Sequence, residues 1–145
     1  MKKRTKWVGV IIIVLLVAIQ FWPIDRTNPP VRSDIQAPPE VKQVFRSACY
    51  DCHSNESRWP WYGYVAPVSW LLASDISEAR GHLNFSEWGT IPAGDRPATA
   101  KHIWKEVSDG DMPLLMYRIM HSDARLSEAQ KNVIRDWALQ QAGNP

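Results

Sequence analysis

The only two cysteines of this chain stand in the stretch Cys49-Tyr50-Asp51-Cys52-His53. Three positions apart, they fall on one face of a helical turn, and the histidine after them can swing its imidazole beneath a flat ligand held by both thiols. That layout fits covalent haem attachment. Each thiol adds across a vinyl group of the porphyrin to make a thioether, and His53 supplies the proximal nitrogen to the iron. The motif has competitors: a redox dithiol, half of a zinc site, or a small structural disulfide. A structural zinc site usually brings a second cysteine pair, which this chain lacks. With both cysteines in the motif, no separate disulfide framework is possible.

A length of 145 residues suggests one domain with one core. Charge is uneven along it. Lys2, Lys3, Arg4 and Lys6 are four of the 17 basic residues, which leaves 13 against 15 acidic side chains in the rest. No basic stripe with interleaved aromatics follows, so nucleic acid is not an expected partner.

Behind the basic cluster, Trp7 to Ile24 is almost wholly apolar, with Gln20 its only strongly polar interruption. About 16 to 18 helical residues rise roughly 24–27 Å, just enough for a thin hydrocarbon layer. Trp7 and Trp22 stand near its two ends, where aromatic rings favour the interface. A cleaved signal peptide is the alternative. Because the run ends Gln-Phe-Trp-Pro with no small-x-small site, an uncleaved single-pass anchor over residues 1–24 is expected. The basic flank keeps to the cytoplasm, which sends the rest of the chain to the periplasmic side of the inner membrane. Haem attachment in bacteria takes place on that side, where an unprotected Cys-x-x-Cys also tends to oxidise. Residues 25–38 carry three prolines among polar residues and read as a tether holding the domain off the bilayer.

From Pro39 to the end, residues 39–145, the pattern is helical. Pro39 suits a first turn, and Val41, Val44 and Phe45 form one face leading into Cys49. A second helix is expected from Pro67, with Trp70, Leu71, Ala73 and Ile76 inward and Gly81 as its stop. A third runs from Pro97 to Ser108 with Ile103, Trp104 and Val107 inward, Asp95 as its cap and Gly110 as its stop. The last is the best defined: Ser127 and Gln130 form a capping box, and Val133, Ile134, Trp137 and Ala138 trace one stripe before Gly143. Trp137 is expected where this helix crosses the one bearing the cysteine motif.

Four large rings, Trp59, Trp61, Tyr62 and Tyr64, crowd a Pro/Gly loop after the motif. They suit either a porphyrin face or the closing of a small core. Met112, in Asp109-Gly110-Asp111-Met112-Pro113, is a soft thioether donor in a loop, and is the candidate sixth ligand opposite His53. Met116 and Met120 read as core filler. His82, His102 and His121 are read as cap, surface or packing histidines, with ligation as the alternative; His121 in particular suits a structural hydrogen bond.

A helix ending in Cys-x-x-Cys-His, short helices, Met-Pro some 60 residues later and a closing helix resemble a small monohaem cytochrome c domain. The runs Cys49 to Tyr62, Ala66-Pro-Val-Ser-Trp70, Leu83-Asn-Phe-Ser-Glu-Trp88, Asp111-Met-Pro113 and Leu126 through Trp137 resemble the membrane-anchored bacterial haem-binding domain family over about residues 39–140. The resemblance implies an all-α, cytochrome c-like fold with one haem c held by Cys49 and Cys52 and ligated by His53, and less directly by Met112.

The function expected is electron transfer by a membrane-anchored monohaem protein, with a redox protein or respiratory complex as partner. No carboxylate pair, nucleophile–base dyad or phosphate loop points to an enzyme. Two other classes stay open. A thiol-disulfide oxidoreductase using Cys49 and Cys52 predicts a βαβ pattern around the motif, and an interaction domain built on the eight tryptophans predicts no chromophore. Without Met112 on the iron, an open position would allow ligand sensing or weak peroxidase activity.

Overall fold

A computed structural model describes residues 2–143. Met1 of the expected anchor segment, and Asn144 and Pro145 of the expected domain, lie outside them. Seven α-helices occur among the described residues: α1 (Lys2–Ala18), α2 (Pro39–Ala48), α3 (Tyr50–His53), α4 (Val68–His82), α5 (Arg96–Asp109), α6 (Leu115–Met120) and α7 (Glu128–Gly143). Short 3-10 turns interleave them and no strand is present among the described residues. The all-α class expected from the sequence is the one that forms.

The core grows from α2. Val41, Val44, Phe45 and Ala48 repeat at helical spacing and all are buried. They meet α7 at Trp137, and Phe45 also stacks on Phe85, ring centroids 4.7 Å apart. α5 lies along α7, adding Ile103 and Val107 to Ile134 and Ala138, with Trp104 half-buried at the edge. The capping box starts α7: Gln130 Oε1 accepts from the Ser127 amide (2.9 Å), and Ser127 Oγ from the Gln130 amide (3.3 Å). Gly110 ends α5 with φ +83, a left-handed conformation glycine adopts without steric cost. At the other end Asp95 occupies the cap position, but its side chain bonds no helical amide.

Several expectations are corrected. Residues 25–38 do not hang free. They strap along the domain: Arg32 and Ser33 donate to the Ser86 carbonyl, Ile35 donates to that of Phe85, and Ile35 is fully buried. Hydrogen bonds to neighbouring backbone satisfy an extended chain as well as water does, so polar and proline-rich composition does not decide between them. In α4, Ile76 points inward but Leu71 is 64 % exposed and Trp70 stands at the surface, while Ser69 takes the buried position. The first turn of α4 overhangs the core. The helix also runs through Gly81 to His82 and stops where Leu83 turns extended. Met116 and Met120 are 71 % and 52 % exposed and fill no core, because α6 buries none of its residues.

From Arg4 on, α1 and the 3-10 turn that follows it at Ile19–Phe21 bury nothing. Its stretch Arg4–Phe21 is long and apolar enough to cross a membrane.

Candidate functional site

The helix carrying the motif breaks at the first cysteine. Cys49 (φ −125, ψ −35) is the joint between α2 and the single turn α3, and its carbonyl accepts from the amides of Cys52 (3.2 Å) and His53 (2.8 Å). The two thiols are therefore one turn apart, as the spacing implied, but on a turn displaced from the α2 axis. Both cysteines are free and half-buried.

They open onto a cavity of about 710 Å³, within the range of sites that enclose a cofactor-sized molecule. Cys49, Cys52 and His53 form one wall. Ala79, Leu83 and Phe85, and Ile103 and Val107 of α5, line the cavity too. Met112, Pro113 and Tyr117 close another side. The structure thus brings all four expected site residues, Cys49, Cys52, His53 and Met112, to a single cavity.

Each is held by backbone. The Nδ1 of His53 lies 3.0 Å from the Leu83 carbonyl oxygen, where α4 ends. With Nδ1–H donating there, the lone pair resides on Nε2, the tautomer a metal-ligating histidine needs. Burial also lowers the pKa of His53, and although the Leu83 and Ala79 carbonyls pull the other way, the ring is neutral at neutral pH. Met112 stands two residues after the glycine stop of α5. Its amide and that of Asp111 both donate to the Glu106 carbonyl at 3.0 Å, and Pro113 beyond it is buried.

The thiols are not activated. Burial pushes Cys49 up to about 12, with Cys52 adding to it; burial, then Asp51 and Asp75, push Cys52 up to about 11, against a smaller pull from Arg80. A dithiol exchange centre has the opposite electrostatics, with a thiolate stabilised by positive charge or a helix N-terminus. The strands that reading predicts are also missing among the described residues. No group of three or more His, Cys, Asp or Glu side chains converges as an ion site among the described residues.

The remaining histidines divide as their surroundings dictate. His82 and His102 stand at the cavity rim, largely exposed, each within 4 Å of a carboxylate one turn away on its own helix, Glu78 and Glu106. His121 makes the structural bond expected of it: its Nε2 is 2.7 Å from the Tyr62 hydroxyl, and its ring stacks on Tyr117 at 4.1 Å.

The aromatic loop does not line the cavity. Trp59 and Tyr64 instead flank the Arg26 guanidinium, 5.5 and 4.7 Å from their ring centroids, and Trp61 is 73 % exposed. A cation from the strap is the partner of Trp59 and Tyr64, while Tyr62 pairs with His121. Sequence reasoning missed Tyr117 as a wall residue and the Leu83 carbonyl as the group orienting His53. The four-residue spacing of Tyr117 and His121 hinted at the first; a backbone carbonyl leaves no trace in sequence.

Two thiols one turn apart, a neutral imidazole with its second nitrogen engaged, a thioether and apolar walls fit a haem. A family model described as haem-binding domain matches residues 14–140, from within α1 to the last turns of α7. No curated protein and no solved structure matches the chain. With that match spanning most of its length, the chain belongs to the haem-binding domain family and is a haem-binding protein.

Proposed function

We propose that the chain is a single-pass inner-membrane protein whose periplasmic domain carries one covalently attached haem c and passes single electrons to a redox protein or respiratory complex. The observation that carries this reading is the convergence of Cys49, Cys52, His53 and Met112 on one cavity. Cys49 and Cys52 would hold the group through thioethers, His53 would ligate its iron as the proximal nitrogen, and Met112 as the distal sulfur. Bound there, a haem would supply a one-electron couple, and His53 and Met112 are the residues that would hold its iron in both oxidation states. The protein's own part is to keep His53 neutral and oriented through Leu83, and to exclude water with Phe85, Ile103 and Val107.

The chain is read as anchor 1–24, strap 25–38 and haem domain 39–145. The basic cluster ahead of the apolar helix supports the orientation, and the raised thiols argue against dithiol exchange as the activity. A carrier rather than an enzyme is the reading adopted.

The test is a haem stain on a denaturing gel together with spectra of the oxidised and dithionite-reduced protein, for the wild type, Cys49→Ala/Cys52→Ala and Met112→Ala. Stain in the wild type, none in the double variant, and retained stain with a lost iron–thioether band in Met112→Ala is the expected set. A colourless wild type from cells that mature other c-type proteins would refute covalent attachment, and an unchanged spectrum in Met112→Ala would remove that ligand and favour a haem sensor.

A further inference from the structure

Gln20 is the one strongly polar side chain in the apolar run, and none of its polar atoms is left to lipid. Its Nε2 donates to the Leu16 carbonyl (3.0 Å) and the Ala66 carbonyl (3.1 Å), and its Oε1 accepts from the Ala66 amide (2.9 Å). The side chain therefore pairs with both backbone groups of one residue 46 positions away, as a neighbouring strand would. In hydrocarbon or at its edge, a polar group is tolerated when it is satisfied inside the protein. The pairing also removes all slack between the membrane helix and the domain.

A second clamp follows. Arg26 donates twice to the Gly63 carbonyl, through Nε and Nη2 at 3.1 Å each, beneath the rings of Trp59 and Tyr64. Together the clamps fix the 3-10 turn Trp61–Tyr64 and the start of α4 against the outer end of the apolar helix. That region is unusually apolar for an exposed surface: Tyr64, Val65, Val68 and Leu71 are all exposed, beside Phe21 and Trp22 at the helix exit. The apolar stretch from Trp7 to Trp22 rises only about 24 Å, at the thin end for a hydrocarbon layer of roughly 30 Å. Apolar surface at its outer end lengthens the contact with lipid, and Trp and Tyr favour the headgroup level.

We infer that the domain is not tethered above the bilayer but seated on it, with the face formed by Tyr64, Val65, Val68 and Leu71 in the outer membrane interface. The occupant of the face is lipid. The inference rests on the anchoring proposed above. It has a functional consequence: α4 meets lipid with its first turn and lines the haem cavity with Asp75 to His82, about 10 to 21 Å further along the same helix.

The experiment is carbene labelling of the full-length holoprotein in phosphatidylethanolamine/phosphatidylglycerol vesicles, using a membrane-dissolved diazirine, with label mapped by peptide mass spectrometry. Label is expected in residues 2–22 and, several-fold above the level in α5 and α7, in residues 63–72. Gln20→Leu keeps the helix apolar but breaks the pin, and should bring 63–72 down towards the α5 level. Label confined to 2–22 overturns the seating while leaving the anchor intact. Residues 63–72 shielded from both the carbene and an aqueous hydroxyl-radical footprint would mean that a protein, a second copy included, covers the face, and would equally overturn it. No label in 2–22 removes the anchor itself and the inference with it. The haem stain of the same sample reports separately on the haem reading.

Discussion

Phe45 and Trp137 meet edge to face where α2 crosses α7, with ring centroids 5.2 Å apart and planes at 84°. Trp137 also packs on Trp88 at 5.9 Å, so one indole joins the helix entering the cysteine motif to the closing helix. Its Nε1–H is buried without a hydrogen-bond partner among the described residues. Trp137→Ala should cost about 3–5 kcal/mol by urea unfolding, the range for emptying an aromatic core site. Trp137→Phe should cost only about 1–2 kcal/mol, because losing an unpartnered buried donor offsets part of the lost packing. A phenylalanine variant as unstable as the alanine one would show that the indole edge, not the ring's bulk, carries the contact.

The strap has its own pressure point. Gly89 donates to the Ser33 carbonyl at 3.2 Å, and a Cβ added there would lie 1.8 Å from Ser33 Oγ and 2.7 Å from Ser33 Cβ. Gly89→Ala should therefore destabilise by about 1–3 kcal/mol, as overpacking does. Every close clash is with one side chain, so Ser33→Gly in the same chain should recover much of the loss. A double variant whose losses simply add would place the strap elsewhere in solution.

Asp34 ties the strap to α2 and makes it acid-sensitive. Burial alone would raise its pKa, but hydrogen bonds from Lys42 and Tyr50, with the charges of Lys42 and Arg46, outweigh it and leave the carboxyl below its usual value. The Tyr50 hydroxyl donates at 2.7 Å. A carboxylate depressed on folding stabilises above its unfolded pKa, about 3.9, and that stability is lost as pH falls through the folded value. Asp34→Asn should thus unfold at lower urea than wild type at pH 7, and the gap should shrink as the pH drops below about 4. A gap of constant size across that window would mean that the charge of Asp34 contributes nothing.

What the sequence could disclose follows from which signals are local. α2 and α7 were legible because Val41, Val44 and Phe45 repeat on one face and the Ser127/Gln130 box marks a start. Met112 stood out because it lies in a Gly/Pro loop rather than on an apolar stripe. The strap could not be read, since its partners are carbonyls of Phe85 and Ser86, some 50 residues away. Trp70, Leu71, Met116 and Met120 misled for a related reason: helical spacing of apolar residues defines a face but not what that face meets. At Trp70 and Leu71 of α4, and along α6, it meets no core.

α6 exposes Leu115, Met116, Ile119 and Met120, so polar contacts must hold it. The Tyr117 hydroxyl donates to Asp51 Oδ2 at 2.7 Å, while Arg58 engages the other oxygen through its amide and Nε. His121 meets Tyr62, and Arg125 Nε donates to the Arg118 carbonyl. With so little apolar burial, α6 should open on its own, below the free energy of global unfolding. Tyr117→Phe removes a hydrogen bond to a carboxylate, worth about 1.5–3 kcal/mol, and should speed exchange of the Arg118 and His121 amides about ten- to a hundredfold. The amides of α7 should keep their wild-type rates. Equal acceleration in both helices would show instead that Tyr117 belongs to the global folding unit, and that the cavity wall it forms stands or falls with the core.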